Sequence, residues 1–160
     1  MAMTESTMMA LGTQAPSFTL KNTEHGTTSL SDFDDAKALV VLFICNHCPY
    51  VIHIAPKLAQ LAKQYSGKGV QFVAINSNDA KNFPADNFEH MIKEKHYAII
   101  LSLIYLMKRN QSLKRLMRHV RQIFLFLMIS RNLLIEDNLM QPDRQEFRQV
   151  IIIQIAELQV

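Results

Sequence analysis

Two cysteines three positions apart provide the chemistry of this chain. Cys45 and Cys48 lie between an apolar run, Leu39–Ile44, and a helix-like stretch, Pro49–Tyr65. The first turn of a helix has unpaired N–H groups and a partial positive charge, and both stabilise a thiolate, the form of cysteine that attacks a disulfide or a peroxide. The spacing also lets the second sulfur resolve the bond that the first has formed. The pattern therefore predicts a redox pair with a lowered thiol pKa.

Two histidines lie close to this pair in the sequence. An imidazole at His47, between the cysteines, can favour a neighbouring thiolate and make the disulfide more oxidising, although a solvent-facing loop histidine fits equally well. His53 fits the surface of the following helix better than a role in chemistry. A zinc site is the rival use of the same atoms, with the ligands Cys45, Cys48, His47 and His53. Structural zinc takes four ligands, and one Cys-x-x-Cys motif without a second pair favours it only weakly.

The segments on either side of the pair predict the elements that position it. Leu39–Ile44 is a run of β-branched, leucine and aromatic residues, typical of a strand covered on both faces. Pro49 suits the first turn of a helix, and apolar residues at 51, 54, 58, 61 and 62 then follow helical spacing. Val70–Ile75 predicts a second buried strand, and Asp86 is expected to cap a helix that runs to about residue 95. Strand, helix and strand of these lengths predict a right-handed βαβ unit with parallel strands.

Length and composition restrict the class of protein. A chain of 160 residues suits one domain. Its first residues show no basic segment followed by an apolar one, so no secretory signal is predicted. The longest apolar stretches, Ala98–Met107 and Phe124–Ile129, fall well short of the roughly 20 residues of a membrane helix. Two cysteines in such a chain favour a reducing compartment and a catalytic pair, so we expect a cytoplasmic protein.

Three segments resemble a known family, the redoxin branch of the thioredoxin-like superfamily, which includes the alkyl hydroperoxide reductase/thiol-specific antioxidant relatives. The matching segments are Leu11–Leu20, Leu42–Val51 with its Cys-Asn-His-Cys-Pro-Tyr-Val string, and Val73–Asp79. The resemblance covers roughly residues 9–97. It implies an α/β thioredoxin-like fold with three layers, in which helices flank a central sheet and the cysteines begin the first long helix.

The same resemblance implies a thiol-disulfide oxidoreductase or a peroxiredoxin-like antioxidant protein, with Cys45, Cys48 and His47 as catalytic residues. Cys45 is favoured as the attacking thiolate because the first cysteine is exposed at the helix start in thioredoxin-like proteins. By position in a peroxiredoxin, Cys48 would attack instead, so the order stays open. The substrate is a peroxide or a disulfide, the electron donor is an external thiol such as a thioredoxin or glutathione system, and no metal or organic cofactor is implied.

The composition changes after residue 97. Residues 1–97 contain eight lysines, no arginine and nine acids, a net charge of −1, whereas residues 98–160 contain nine basic residues and five acids, a net charge of +4. All four glycines lie before residue 70, although turns usually need residues that tolerate positive φ. These differences set residues 98–160 apart as an atypical, partly helical tail. The resemblance implies that residues 11–97 form a truncated redoxin domain, after a disordered start at 1–10.

The family's later segments are absent from the tail in this reading frame. They are Phe-Pro-Tyr-Leu, Ala-Cys-Thr-Pro-Asp-Phe with its cis-proline, and Tyr-Arg-Gly-Gln-Leu-Asp. Permissible codons for residues 101–105, 105–124 and 134–144 spell these three segments, in this order, when they are read one base over. We therefore hypothesise a frameshift near codons 98–101. Without the later strands the sheet is expected to leave an edge exposed, with poor stability and weak activity.

The tail permits a second function class. Apolar positions in Lys108–Met128 follow helical spacing beside several lysines and arginines, which is typical of a basic amphipathic helix on a membrane surface or nucleic acid. A non-enzymatic binding protein is therefore the alternative to an oxidoreductase, although out-of-frame translation accounts for the same pattern and no nucleic acid partner is expected. Ile151–Ile155 is interpreted as a segment prone to aggregation.

Overall fold

The strands of the computed structural model form one mixed sheet. The model describes residue 10, residues 12–76 and 78–93, and the backbone of three later strands. The strands are β1 (Thr19–Asn22), β2 (Thr27–Ser29), β3 (Ala38–Ile44), β4 (Val70–Asn76), β5 (Leu103–Tyr105), β6 (Phe124–Ile129) and β7 (Asn132–Asn138). Their order across the sheet is β2-β1-β5-β4-β3-β6-β7. The described helices are α1 (Pro49–Ser66), α2 (Phe88–Lys93) and two short 3-10 helices, Leu30–Phe33 and Pro84–Asp86.

The central β3-α1-β4 unit confirms the prediction of parallel strands joined by a helix. β3 and β4 pair in parallel over their full lengths, from Ala38 opposite Val70 to Ile44 opposite Asn76. Every side chain of β3 is buried, as expected of a continuous apolar run. The carboxyl ends of β3 and β4 therefore lie side by side, and the chain segments that follow them start from one edge of the sheet.

α1 packs its apolar stripe onto this pair of strands. Val51, Leu58 and Ala62 are buried, and they belong to one core cluster with alternate residues of β3 and β4 and with Met91 of α2. Cys45 and Cys48 pack against the edge of the same cluster. The start of α1 is thereby fixed against the ends of the two parallel strands. None of the helices in the described part of the chain is long and apolar enough to cross a membrane.

The cap predicted for α2 is wrong by one residue. Asn87, not Asp86, caps this helix, because its Oδ1 accepts a hydrogen bond from the backbone N–H of His90 at 2.8 Å. Asp86 ends the preceding 3-10 helix, and its side chain is completely buried. The predicted continuation of the helix to residue 95 lies outside the described residues.

The tail adds strands to the sheet, so the exposed edge that was predicted is not found at β3. β6 pairs antiparallel with β3, with Phe43 opposite Phe124 and Leu39 opposite Met128, and β7 pairs antiparallel with β6. The predicted amphipathic helix is also wrong from Phe124 onward, because Phe124–Ile129 is a strand, whereas residues 108–123 lie outside the described part. An apolar, β-prone run can satisfy its backbone hydrogen bonds on an open strand edge, and this competes with helix formation.

Candidate active site

The two cysteines lie at the junction of β3 and α1, as the sequence predicted. Cys45 directly follows β3, and Cys48 is the N-cap residue of α1, with Pro49 in the first turn. Both are half-buried thiols that are not joined by a disulfide. The backbone N–H of Cys48 donates to the Cys45 sulfur, and the two side chains are hydrogen-bonded to each other. The loop therefore holds the two sulfurs close enough to interact.

A buried carboxylate, Asp86, lies beneath this loop. Its side chain is completely buried, and its two oxygens accept hydrogen bonds from four donors. The donors are the backbone N–H of Asn46 at 2.6 Å, Asn76 Nδ2 at 3.2 Å, Asn78 Nδ2 at 2.9 Å and His47 Nδ1 at 2.6 Å. Because a buried charge is tolerated only when it is well paired, this set of donors explains how the carboxylate is accommodated.

The sheet topology brings these donors together. Asn76 ends β4 directly opposite Ile44, so Asn76 and Asn78 lie beside the segment that follows β3. The 3-10 helix Pro84–Asp86 then returns to the same edge, where the side-chain Nδ2 of Asn46 donates to the backbone oxygen of Ala85 at 3.0 Å. Asp86 thus links the cysteine loop to the end of the neighbouring strand.

His47 is held on two sides although its side chain is 38% exposed. Its ring stacks on that of Phe83, with centroids 4.8 Å apart and planes within 4° of parallel. Its Nδ1 lies 2.6 Å from Asp86 Oδ2. An ionised carboxylate only accepts hydrogen bonds, so Nδ1 must be the donor in this contact and the proton of neutral His47 lies on Nδ1.

Hydrogen bonding keeps Asp86 ionised. Burial alone would raise the pKa of this carboxyl group, but the hydrogen bonds from Asn78, the Asn46 amide, Asn76 and His47 together lower the pKa below its ordinary value of 3.8. The site therefore contains a permanent negative charge at neutral pH.

That charge affects Cys45 in the direction opposite to the one predicted from the sequence. Burial, and then the negative charge of Asp86, raise the pKa of Cys45 from 9.0 to about 11, although the hydrogen bond from the Cys48 amide acts to lower it. The prediction of a lowered thiol pKa is therefore wrong for Cys45. Its position explains the error, because Cys45 adjoins the buried strand and the anion, whereas Cys48 lies at the start of the helix.

One group of side chains here has the composition of a metal site. The sulfur of Cys45, a ring nitrogen of His47 and a carboxylate oxygen of Asp86 all lie within 4.8 Å of one another. This group differs from the predicted zinc ligands, because it contains Asp86 in place of Cys48 and His53, and His53 is exposed on α1. Each Asp86 oxygen already accepts two hydrogen bonds, so a cation would have to displace donors. Metal binding by this group would therefore break hydrogen bonds that stabilise the buried carboxylate.

The sequence did not identify four side chains of this site, namely Asp86, Asn76, Asn78 and Phe83. A signal was available for the two asparagines, since parallel strands that are neighbours bring their carboxyl ends to one edge, where functional groups gather. Asp86 and Phe83 reach the site through a loop return that periodicity does not predict.

Comparisons with known proteins agree with the fold. The family model described as Redoxin matches residues 10–123, a range that extends past residue 97. A hypothetical protein from Sinorhizobium meliloti 1021 is similar to this chain, with 33% identity, a TM-score of 0.77, and coverage of 87% of this chain and 76% of that one. An uncharacterized conserved protein from Geobacillus kaustophilus has the same identity and TM-score, with coverage of 89% and 78%.

A more distant likeness concerns the fold alone. The thioredoxin domain of a thiol-disulfide oxidoreductase from Bacteroides vulgatus is 17% identical, with a TM-score of 0.65 and coverage of 89% of this chain and 99% of that domain. A search of curated proteins found no match. The predicted α/β thioredoxin-like architecture is confirmed by these likenesses. The boundaries predicted at residues 10 and 97 stay predictions.

Proposed function

Because the chain belongs to the Redoxin family of thiol oxidoreductases, we propose that it is a thiol-disulfide oxidoreductase or peroxidase with Cys45 and Cys48 as its redox pair. The observation that supports this most is the contact between the two thiols at the strand-to-helix junction, where the Cys48 amide and side chain both interact with the Cys45 sulfur. Two sulfurs in contact can close a disulfide with little movement of the backbone.

The reaction takes two electrons from the pair. With a disulfide substrate, the two thiols and RSSR give the Cys45–Cys48 disulfide and two RSH molecules. With a hydroperoxide, the same two thiols and ROOH give the disulfide, ROH and water. An external thiol donor of the thioredoxin or glutathione type would then reduce the pair, and such donors are kept reduced in the cytoplasm, where we expect the protein to work.

The surroundings of the two sulfurs favour Cys48 for the first attack. Attack requires a thiolate. The Cys45 thiol has a pKa of about 11, so it is almost entirely protonated at neutral pH. Cys48 is the N-cap residue of α1 and lies at the positive end of the helix dipole. Cys45 would then act second, as the resolving thiol, which reverses the order that the sequence favoured.

His47 is the proposed proton carrier of the reaction. One of its ring nitrogens lies within 4.8 Å of the Cys45 sulfur, and its proton on Nδ1 leaves the Nε2 lone pair available. The proximity of the ring to the Cys45 sulfur supports this role.

Single-turnover experiments on serine variants test the pair and the order of attack. Cys45→Ser should still form a mixed disulfide with a model disulfide substrate but should not release the second thiol. Cys48→Ser should react at least about tenfold more slowly in the first step, because the remaining thiol is mostly protonated. His53→Gln, on the exposed surface of α1, should match the wild type.

Two results would contradict the proposal. If Cys45→Ser and Cys48→Ser both turn over the substrate at the wild-type rate, the pair has no catalytic role. If Cys48→Ser forms the mixed disulfide as fast as the wild type and Cys45→Ser does not, the first attack belongs to Cys45. Parallel assays with a hydroperoxide and with a protein disulfide distinguish the two substrate classes.

A further inference from the structure

We infer that Asp86 is the positioning residue of this redox pair, because it fixes the loop that carries the cysteines and holds His47 with its proton on Nδ1, which leaves Nε2 as the ring atom able to receive the proton of the resolving thiol. The inference rests on the proposed function and assigns Asp86 no contact with substrate. Three independent contacts support it: one to the loop backbone, one to the imidazole and one pair to the end of β4.

The contact to the loop is with its backbone rather than with a side chain. Asn46 lies between Cys45 and Cys48 in the chain, and its N–H donates to Asp86 Oδ1 at 2.6 Å. On the other side, Asn76 and Asn78 donate to the same carboxylate from the end of β4. Charge-assisted hydrogen bonds of this kind are about twice as strong as neutral ones. Asp86 therefore fixes the loop relative to the sheet, which sets the position of both sulfurs.

The contact to His47 selects one tautomer. Hydrogen bonds keep the Asp86 carboxyl group ionised, so it can only accept, and Nδ1 must donate. The ring of Phe83, stacked at 4.8 Å, restricts rotation of the imidazole out of this contact. Nε2 is then the ring atom that accepts a proton, and the negative charge of Asp86 stabilises the imidazolium that results.

The same charge acts on the resolving thiol. It opposes a thiolate at Cys45, because the two negative charges repel each other. In the mixed disulfide, the Cys48 sulfur is bonded to the substrate sulfur. The Cys45 sulfur attacks the Cys48 sulfur and forms the Cys45–Cys48 bond while its proton passes to Nε2. The bond between the Cys48 sulfur and the substrate sulfur breaks, and RS⁻ leaves. The imidazolium then protonates RS⁻. Deprotonation of Cys45 is thus coupled to closure of the disulfide and does not precede it.

The tautomer can be measured on the unaltered, reduced full-length chain. Long-range ¹H–¹⁵N NMR correlations of the imidazole should show the proton of His47 on Nδ1 at mildly alkaline pH. In Asp86→Asn this preference should be lost, whereas Asp35→Asn, which removes the same charge from an exposed side chain, should leave it unchanged. A wild-type ring with its proton on Nε2 overturns the inference, and that measurement needs no variant to fold.

The rate of disulfide closure supplies a second readout that a purely structural role would not change. In wild type the rate should depend less on pH than in Asp86→Asn, because His47 removes the proton of the resolving thiol. In Asp86→Asn, closure should be at least about tenfold slower at neutral pH, because an oriented base contributes about 10²–10⁴-fold. The closure rate of this variant should rise about tenfold per pH unit, because it then depends on the thiolate fraction of Cys45. Identical pH profiles for wild type and Asp86→Asn overturn the inference. Failure of the proposed function has another signature, since the wild-type pair would then form no disulfide, wherever the proton of His47 lies.

Discussion

The two cysteines of one motif differ in their surroundings. Cys45 follows a strand whose side chains are all buried, and the Asp86 charge and burial both raise its pKa. Cys48, three residues later, caps a helix. The spacing of the motif predicted the redox pair but not this asymmetry, because the anion that creates it lies about 40 residues away in the sequence. A sequence pattern identifies the sulfurs, whereas the fold determines that Cys45 keeps its proton at neutral pH.

The raised pKa of Cys45 predicts how stability changes with pH. Below pH 9 both the folded and the unfolded chain keep the thiol proton. As pH rises from 9.0 to about 11, the unfolded chain loses that proton while the folded chain keeps it, so the free energy of unfolding decreases across this window. Urea unfolding of the reduced protein should therefore show a steeper alkaline loss for wild type than for Cys45→Ser. Parallel curves for the two proteins would contradict the raised pKa.

Asp86 predicts the opposite dependence at acid pH. Its folded pKa lies below the ordinary 3.8, so its contribution to stability is present above pH 3.8 and is lost as pH falls through the folded value. Acid unfolding followed by circular dichroism should be less steep below pH 3.8 for Asp86→Asn than for wild type, after normalising to the stability at neutral pH. Asp35→Asn, which replaces an exposed acid, is the matched control. If the acid-unfolding curve of Asp86→Asn is as steep as that of Asp35→Asn, the lowered pKa of Asp86 is contradicted.

At the scale of elements, hydrophobic periodicity predicted the strands and the long helix, but not the loop that brings Asp86 to the site. The continuous apolar runs predicted β3 and β4, and the helical stripe predicted α1 within one residue at its end. Asp86 was taken for a helix cap because an acidic residue before an apolar helical pattern is the usual cap signal. Asp86 instead ends the 3-10 helix Pro84–Asp86, one residue before the actual cap. Its carboxylate points inward and accepts hydrogen bonds from Asn46 and Asn76.

The turn between α1 and β4 offers a matched pair of glycines. Gly69 has φ +84° and its oxygen accepts the Lys37 amide at 2.9 Å, and an added Cβ would lie 3.1 Å from Lys37 Cγ. Gly69→Ala should therefore lower the free energy of unfolding by about 1–2 kcal/mol. Gly67 has φ −69° with nothing within 4 Å of a Cβ, so Gly67→Ala should change stability by less than about 1 kcal/mol. Equal urea midpoints for the two variants would contradict this account.

At the scale of the whole molecule, the tail takes part in the sheet. β6 lies between β3 and β7, so the strand that carries Cys45 at its end has neighbours on both sides. Phe126→Pro, at a position opposite Val41 of β3 and Glu136 of β7, removes a ladder donor from β6 and should lower the free energy of unfolding by at least about 1–3 kcal/mol. Phe126→Val keeps the donor and should cost less. Hydrogen exchange at Leu39–Phe43 is the measurement, and equal protection in both variants would show that β6 does not stabilise β3.

Pairing of the tail with β3 does not decide whether the tail was selected for this fold. Backbone hydrogen bonds form between strands of almost any apolar sequence, so Phe124–Ile129 would cover an open edge whatever its origin. Composition bears on the origin more directly. No glycine follows Gly69, and every arginine lies in the tail. Both facts are expected of a segment translated in the wrong frame.

The frameshift hypothesis makes a prediction about the gene. Met107 is encoded by ATG and Lys108 begins with AA, so the junction read one base over must spell Glu. The codons of residues 101–105, 105–124 and 134–144 should in that frame spell the three family segments missing from the protein. A chain with the frame restored should gain stability and turn over a thiol substrate faster, because its sheet and its cis-proline segment would then be those of the family. A stop codon or unrelated residues in that frame would contradict the hypothesis and would make β6 and β7 part of the selected fold.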